Sequence, residues 1–472
     1  MVATPEIVGR DTGKGRVLTD WRPEDPRFWH TVGKPVAARN LGLSIPALAL
    51  AFAVWMVWSV VVVNLPYVGF DYSTNQLFWL AALPGLSGAT LRVFFAFMVP
   101  IFGGRRWTAL STAALAIPAL GIGFATQNPE TPYWVMAVLA AFCGVGGGNF
   151  ASSMANVNYF FPRNEKGTAL GLNAGLGNLG VSLMQFLVPV AITAGVFGAL
   201  GGSPLMWSDG EFSKPIWLQN AGFIWVPFIL LSAVAAWFGM NDIASAKASF
   251  KDQAVVFRRK HNWLMSWLYI GTFGSFIGFS AGFPMLTTTL FPGVDAMQFA
   301  FIGPLLAALV RPVGGWVSDR VGGALVTLWT FVLMAAAVLG VMYFLPTSEA
   351  SGNFYGFLSM FLLLFILAGV GNGSTFRMIP VIFLNQWRKR LGNGPLALER
   401  ATSKAAKESG AALGFSSAVG AFGGFFIPGS YGVSITLTGG VQAALFAFVA
   451  FYASCIAITW WYYARHGAEA PC

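Results

Sequence analysis

Long apolar stretches alternate with short polar segments along most of the chain. Each stretch has about the 20 residues that an α-helix needs to cross the hydrocarbon core of a bilayer. The eleventh gives the weakest hydrophobic signal, because it is rich in Gly and Ser. The pattern predicts twelve membrane-spanning helices, at 43–66, 76–102, 106–126, 132–161, 167–197, 217–240, 262–290, 296–317, 322–345, 353–385, 406–434 and 440–464.

Internal repeats divide these helices into two sets of six. CGVGGGNF at 143–150 aligns with AGVGNGST at 368–375, and ALGLNAGLGNLG at 169–180 aligns with ALGFSSAVGAFG at 412–423. We therefore predict an all-α polytopic membrane protein with two pseudo-symmetric six-helix halves, the plan of many carriers. The predicted regions are an N-terminal segment (1–41), a first half (42–240), a linker (241–261), a second half (262–466) and a tail (467–472).

Composition and charge agree with a membrane protein. The 472 residues are 56% hydrophobic and only 10% charged, against roughly 25% charged in a soluble domain. The first 40 residues are polar, carry both charge signs and lack the apolar core of a signal peptide. Outside the predicted helices the basic residues lie in alternate loops, and the opposite loops hold only Lys214. The positive-inside rule then places both termini and the linker in the cytoplasm, so the net charge of +10 reflects orientation and not nucleic-acid binding.

The residue inventory predicts no cofactor and no enzymatic chemistry. Cys143 and Cys455 lie in predicted helices and Cys472 in the tail, without metal or disulfide spacing. We find no nucleophile–base pair and no phosphate-cradling loop, because the glycine runs lie inside apolar helices and not between a strand and a helix.

Two arginines interrupt the apolar helices at matching depths. Arg92 precedes Gly103 by eleven residues, and Arg311 precedes Gly322 by eleven. This spacing corresponds to roughly 17 Å of helix, which reaches the bilayer midplane. An arginine there costs about 2.5–3.5 kcal/mol, and all 18 Asp and Glu lie in termini, loops or the ends of spans. Snorkelling or pairing with a buried carboxylate is the alternative, but the pattern favours an anionic substrate as counter-ion.

The guanidinium group narrows the choice of anion. Its forked donors suit a planar oxyanion, and two arginines without further donors suit one small anion and not a polyphosphate. Arg377 is a third arginine in a predicted helix, but it lies nearer the cytoplasmic end. Packing or a role at the gate is expected there in preference to substrate contact.

One loop resembles a superfamily motif. GGWVSDRVGG at 314–323 resembles the motif that the major facilitator superfamily carries between helices 8 and 9, whereas the equivalent FGGRRW at 102–107 lacks the acidic residue. The resemblance implies that Asp319 and Arg320 form a conformational latch and do not bind substrate.

A closer resemblance, to the NarK-type nitrate/nitrite porters, extends from about residue 17 to 466. It implies a bacterial inner-membrane carrier in the lipid bilayer that acts on nitrate and nitrite, works as a monomer and uses no cofactor. The motifs that carry it are GLNAGLGNLGVSLMQ (171–185), GFSSAVGAFGGFFIP (414–428), GGGNFASSMAN (146–156), TFGSFIGFSAGF (272–283) and DWRPEDPRFW (20–29).

The same resemblance implies a binding site. Arg92 and Arg311 match the two arginines that bind nitrate or nitrite in that family, and Phe150 and Phe273 match phenylalanines that sandwich the flat anion. Such a slot would admit a planar ion and exclude tetrahedral sulfate or phosphate. Without the resemblance, two of the 43 phenylalanines would be interpreted as core residues.

Three polar residues match further contacts of that family. Asn178 is also a candidate on physical grounds, because an amide inside a span needs a partner. Tyr269 is equally compatible with an interfacial aromatic, and Ser417 with a helix-packing hydroxyl.

Small residues in predicted helices 5 and 11 allow close and mobile helix contacts. Static packing is an equally good interpretation of the pattern. The residues are Gly171, Gly175, Gly177, Gly180, Gly414, Gly420 and Gly423.

Titratable residues bear on how transport is driven. His30, His261 and His466 lie in loops or at span ends, and no Asp, Glu, Lys or His is predicted in the middle of a span. A proton-coupled carrier generally needs such a group on its path. We therefore expect obligatory exchange of nitrate for nitrite. Nitrate/proton symport is the alternative, since the resembled family contains both; a gated anion channel or a sensor is a more remote one.

Overall fold

The computed structural model describes residues 16–246, 255–347, 351–392 and 394–472. In these ranges twelve helices are long and apolar enough to cross a membrane, which confirms the predicted number. We number them α1 (Pro26–Asn64), α2 (Thr74–Phe95), α3 (Gly104–Ala125), α4 (Tyr133–Phe160), α5 (Arg163–Ala191), α6 (Asn220–Gly239), α7 (Lys260–Leu290), α8 (Ala296–Val321), α9 (Gly323–Tyr343), α10 (Phe354–Leu391), α11 (Pro395–Thr438) and α12 (Gln442–Ala464).

Some helices extend beyond their apolar stretches. α1 begins at Pro26 and not at 43, and α11 begins at Pro395 and not at 406. Asp25 caps α1, because its carboxylate accepts hydrogen bonds from the backbone N–H groups of Arg27 and Phe28. Hydropathy detects only the part of a helix that contacts lipid or core, so it misses polar turns stabilised by such caps.

Four short strands lie outside the helical bundle. The first two-stranded sheet pairs a segment before α1 with residues after α6, in parallel. The second is an antiparallel hairpin between α5 and α6. The strands are β1 (Val17–Leu18), β2 (Leu205–Ser208), β3 (Ser213–Ile216) and β4 (Asp242–Ile243), with β1 paired to β4 and β2 to β3.

A buried ion pair fixes β4 to the start of α3. Asp242 accepts a 2.8 Å hydrogen bond from the Arg105 backbone N–H and lies 3.1 Å from the Arg105 Nε. Arg105 also donates to the Trp237 carbonyl oxygen at 2.9 Å. Gly103 has a φ of +88°, and a Cβ there would overlap the Asp242 side chain. The bend before α3 therefore requires glycine.

The two halves repeat the same helix contact. A Cβ added to Gly144 on α4 would overlap the backbone of Gly88 on α2. A Cβ added to Gly369 on α10 would overlap the backbone of Ala307 on α8. Gly88 and Ala307 each precede the buried arginine of their helix by four residues. The arginines thus occupy equivalent positions in equivalent helix pairs.

The halves meet mainly through backbone and uncharged groups. Gly85 on α2 and Gly424 on α11 approach so closely that a Cβ on Gly85 would overlap the Gly424 carbonyl. Ser182 on α5 donates to the Phe301 carbonyl at 2.9 Å. None of the ion pairs among the described residues joins the first half to the second.

Candidate anion-binding site

Arg92 is held in place by backbone carbonyls. The residue is 1% exposed; its Nε donates to the Gly147 oxygen on α4 at 2.8 Å, and its Nη1 to the Ser417 oxygen on α11 at 3.0 Å. The Nη2 group is buried, with no hydrogen-bond partner in the described part of the chain. These bonds orient the guanidinium group without neutralising its charge.

Arg311 is also buried, at 8% exposure. Its Nη1 has no hydrogen-bond partner among the described residues. Its guanidinium carbon lies 5.4 Å from the centre of the Phe376 ring on α10. Within residues 16–246, 255–347, 351–392 and 394–472 neither Arg92 nor Arg311 forms an ion pair.

The two arginines lie within electrostatic range of each other. Arg92 and Arg311 interact electrostatically with each other and with the Tyr269 hydroxyl. That hydroxyl is buried and has no hydrogen-bond partner among the described residues. Two like charges near each other in a buried site repel. A small anion between them would remove the repulsion and accept the unused N–H donors.

Aromatic rings surround the Arg92 guanidinium. Its carbon lies 4.6 Å from the Phe150 ring centre, 4.9 Å from that of Phe273 and 5.0 Å from that of Trp55. The rings of Phe150 and Phe273 are stacked with centres 6.2 Å apart and planes inclined by 28°. Since atoms pack at about 3.5 Å, two faces holding a flat ion would lie about 7 Å apart. The slot must therefore widen slightly to admit an anion between the rings.

The other predicted contact residues, Tyr269, Ser417 and Asn178, differ in the groups that they touch. Tyr269 stacks on Phe273, with ring centres 5.5 Å apart, so it belongs to the same cluster. Ser417 contacts Arg92 through its carbonyl, while its hydroxyl donates to the Gly414 oxygen at 2.9 Å. Asn178 is 1% exposed, with its side-chain oxygen unpaired among the described residues. No contact to either arginine is described for Asn178, and its role stays a prediction.

The predicted glycines fall into two groups. A Cβ on Gly177 or Gly180 would overlap Leu48 or Ala49 of α1, and one on Gly420 or Gly423 would overlap Tyr269 or Gly274 of α7. These four allow close packing within each half. Gly171, Gly175 and Gly414 have no atom within 4 Å of an added Cβ. Those three lie nearer the end of the bundle that carries the termini, and their helix faces there are uncovered.

The two predicted latch residues, Asp319 and Arg320, have different partners, and their role stays a prediction. Asp319 forms an ion pair with Arg377, which joins the end of α8 to α10. Arg320 instead lies over the Trp316 ring, with its guanidinium carbon 3.6 Å from the ring centre. Arg377 is half exposed and pairs with a residue at the end of α8, and its role stays a prediction.

Sequence reasoning missed three contributors to the site. Trp55 and Phe376 lie against the two guanidinium groups, and the Gly147 carbonyl accepts from Arg92. A backbone carbonyl acceptor cannot be recognised in a sequence, because every residue has one. The one sequence feature that marks Gly147 is its lack of a side chain, which allows Trp55 to pack where a Cβ would lie.

The chemistry available is charge and shape recognition. Groups of His, Cys, Asp and Glu able to hold a metal ion are absent from the described residues. The site has unused N–H donors, two positive charges and flat apolar walls. Such a site can bind a small anion.

Fold and sequence comparisons place the chain among known carriers. A family model of the Major Facilitator Superfamily matches residues 47–394. The chain also shares its fold with a bacterial homolog of the human lysosomal transporter Spinster, in an inward-facing and occupied conformation. The TM-score is 0.58 at 13% identity, over 90% of this chain and 96% of that one. The protein is therefore a multi-pass membrane transporter and not an enzyme.

Two relatives show which family of this superfamily includes the chain. The nitrate/nitrite transporter NarU of Escherichia coli K12 is 51% identical, over 95% of this chain and 96% of that protein. The probable nitrate/nitrite antiporter NarK2 of Thermus thermophilus is 44% identical, over 98% and 99%. The chain belongs to the nitrate/nitrite porter family of the Major Facilitator Superfamily.

Proposed function

We propose that this protein exchanges nitrate for nitrite across a bacterial inner membrane, with the anion held between Arg92 and Arg311. The observation that carries the proposal is the pair of buried guanidinium groups, each with an unused donor and no ion pair among the described residues. Relatives whose names specify nitrate and nitrite support the choice of substrate. Both ions are small and planar, and they suit flat walls.

Exchange follows from the charge of the empty site. Alternating access requires the halves to close around the site, which brings Arg92 and Arg311 together in a low-dielectric interior. Without an anion this closure costs electrostatic free energy. A bound nitrate or nitrite offsets that cost, so the loaded carrier reorients and the empty carrier does not. The matching depth of the arginines in α2 and α8 supports a site near the midplane, where such carriers bind substrate.

We propose the orientation in the membrane that the positions of the basic loops favour. Both termini and the linker lie in the cytoplasm, and the monomer is the working unit.

Counterflow in proteoliposomes tests the exchange. We expect rapid uptake of labelled nitrate into vesicles loaded with nitrite, and very little into vesicles without an internal anion. The reason is that a carrier without a bound anion does not reorient. Uptake into anion-free vesicles driven by a pH gradient would contradict exchange and favour proton symport. Ion currents far above carrier turnover would favour a channel, and signalling without flux a sensor.

Phe150→Ala tests the planar slot. We expect the ratio of nitrate to sulfate uptake to fall about two- to thirtyfold, because a cation–π contact of about 0.5–2 kcal/mol is lost and one wall of the slot is removed. Competition of unlabelled anions against labelled nitrate measures the ratio. Phe160→Ala is the matched control, since Phe160 is equally buried on α4 but packs against Trp21. An unchanged ratio in Phe150→Ala would remove Phe150 from the slot.

A further inference from the structure

The two arginines of the site are held unequally. Arg92 donates to two carbonyl oxygens, of Gly147 and Ser417. The Arg311 guanidinium interacts with the Tyr269 hydroxyl, but its Nη1 is buried without a hydrogen-bond partner in the described part of the chain. A long charged side chain with free rotamers binds an anion less well than an oriented one, since fixing it costs entropy at each binding event.

The internal repeat shows which residue of α10 corresponds to the acceptor of Arg92. In the alignment of 143–150 with 368–375, Gly147 corresponds to Asn372. The structure supports this register, because Gly144 and Gly369 make the same close contact with α2 and α8. Asn372 therefore stands relative to Arg311 as Gly147 stands relative to Arg92. At this position the second half has a side-chain amide, whereas the first half has a glycine with no side chain.

The surroundings of Asn372 agree with that placement. Asn372 is 2% exposed, and its side-chain oxygen is buried with no hydrogen-bond partner among the described residues. Phe376 lies one helical turn further along the same face and contacts the Arg311 guanidinium. A Cβ on the neighbouring Gly373 would overlap the Arg311 carbonyl, so α10 is in backbone contact with α8 at this level.

We propose that Asn372 is a positioning residue for Arg311. Its side-chain oxygen accepts an N–H of the Arg311 guanidinium in the anion-bound carrier, and the remaining donors are directed at the anion. The inference rests on the proposed function. It pairs an unsatisfied acceptor with an unsatisfied donor, each of which is costly to leave buried alone.

The amide is suited to this task because it is neutral. It orients Arg311 and leaves the positive charge available to the substrate. A carboxylate at the same position would bind the guanidinium more strongly and neutralise it. The proposal therefore predicts opposite consequences for two similar substitutions.

Asn372→Ala should raise the KM for nitrate about tenfold or more with a smaller change in maximal rate, since a hydrogen bond to a charged group is lost. Asn372→Asp should raise the KM at least as much, because Asp would compete with nitrate for Arg311. Asp would also supply a built-in counter-ion, so the empty carrier should reorient. We expect Asn372→Asp to release labelled nitrate into anion-free medium, where the wild type and Asn372→Ala do not.

Thr375→Ala is the matched control. Thr375 is a buried polar residue on the same helix, but its hydroxyl lies 3.2 Å from that of Thr272 on α7. Its KM should stay within about twofold of wild type. Thermal unfolding in detergent shows whether each variant is folded; if Asn372→Asp does not fold, the KM of Asn372→Ala decides.

Wild-type KM values in both Asn372 variants would overturn the proposal. So would an equal rise in KM in Thr375→Ala, because the effect would then be general to α10. If the wild type transports no nitrate under any gradient, the proposed function itself fails. Nitrate exchange by the wild type with unaltered Asn372 variants contradicts only the positioning role.

Discussion

Arg92→Lys is expected to lower nitrate exchange by about 100-fold or more, although the charge is kept. Arg92 uses two donors on the Gly147 and Ser417 carbonyls and has a third left for the anion. The compact ammonium of lysine cannot span these acceptors in a planar fork. Loss of two hydrogen bonds from a charged group, at about 1.5–3 kcal/mol each, accounts for the size of the effect. Initial uptake into nitrite-loaded proteoliposomes measures it.

Arg106→Lys is the control for this substitution. Arg106 follows Gly103 closely in sequence, but its side chain is 57% exposed at the end of the bundle. It should keep near-normal exchange. Exchange by Arg92→Lys at a rate similar to that of Arg106→Lys would exclude Arg92 from the binding site.

Asp242→Ala is expected to lower the free energy of unfolding by about 3–5 kcal/mol, the usual cost of removing one partner of a buried ion pair. The substitution leaves the Arg105 guanidinium, which is 4% exposed, without its counter-ion. It also removes the acceptor of the Arg105 backbone N–H and so frees the start of α3. Thermal unfolding of the purified protein in detergent should show a clear fall in the midpoint.

Glu24→Ala gives the comparison for Asp242→Ala. Glu24 pairs with Arg163, but both side chains are more than half exposed. Removal of such a pair costs about 0–1 kcal/mol. Equal shifts of the unfolding midpoint in the two variants would mean that burial of the Arg105–Asp242 pair contributes nothing.

The number and order of the helices follow from hydropathy because the bilayer imposes a length on each apolar stretch. The same signal misses the polar starts of α1 and α11; at α1 the first turn is marked by the Asp25 cap and not by an apolar sequence. It also misses the β1–β4 pairing. The two strands have only two residues each and lie far apart in the chain, so they carry no recognisable sequence pattern. Their contact depends on how the helices between them pack.

The candidate binding site was only partly predictable. Arg92 and Arg311 stand out because a permanent charge in an apolar helix demands an explanation. Phe150 and Phe273 emerged only through resemblance, since one phenylalanine among many has no local signature. The backbone acceptors of Arg92 could not be foreseen, because they depend on the three-dimensional approach of α4 and α11. The Asp319–Arg377 pair likewise joins residues on two helices, and no sequence spacing connects them.

The way the halves meet has a consequence for the kinetics of the carrier. Gly85 and Gly424 bring main chain against main chain, and none of the ion pairs described joins the first half to the second. Separation of the halves from this state therefore breaks none of these ion pairs, and the contact of Arg92 with the Ser417 carbonyl, which does cross between the halves, is buried. Added salt screens only charges. The step that opens the Gly85–Gly424 contact should thus proceed at a rate nearly independent of ionic strength.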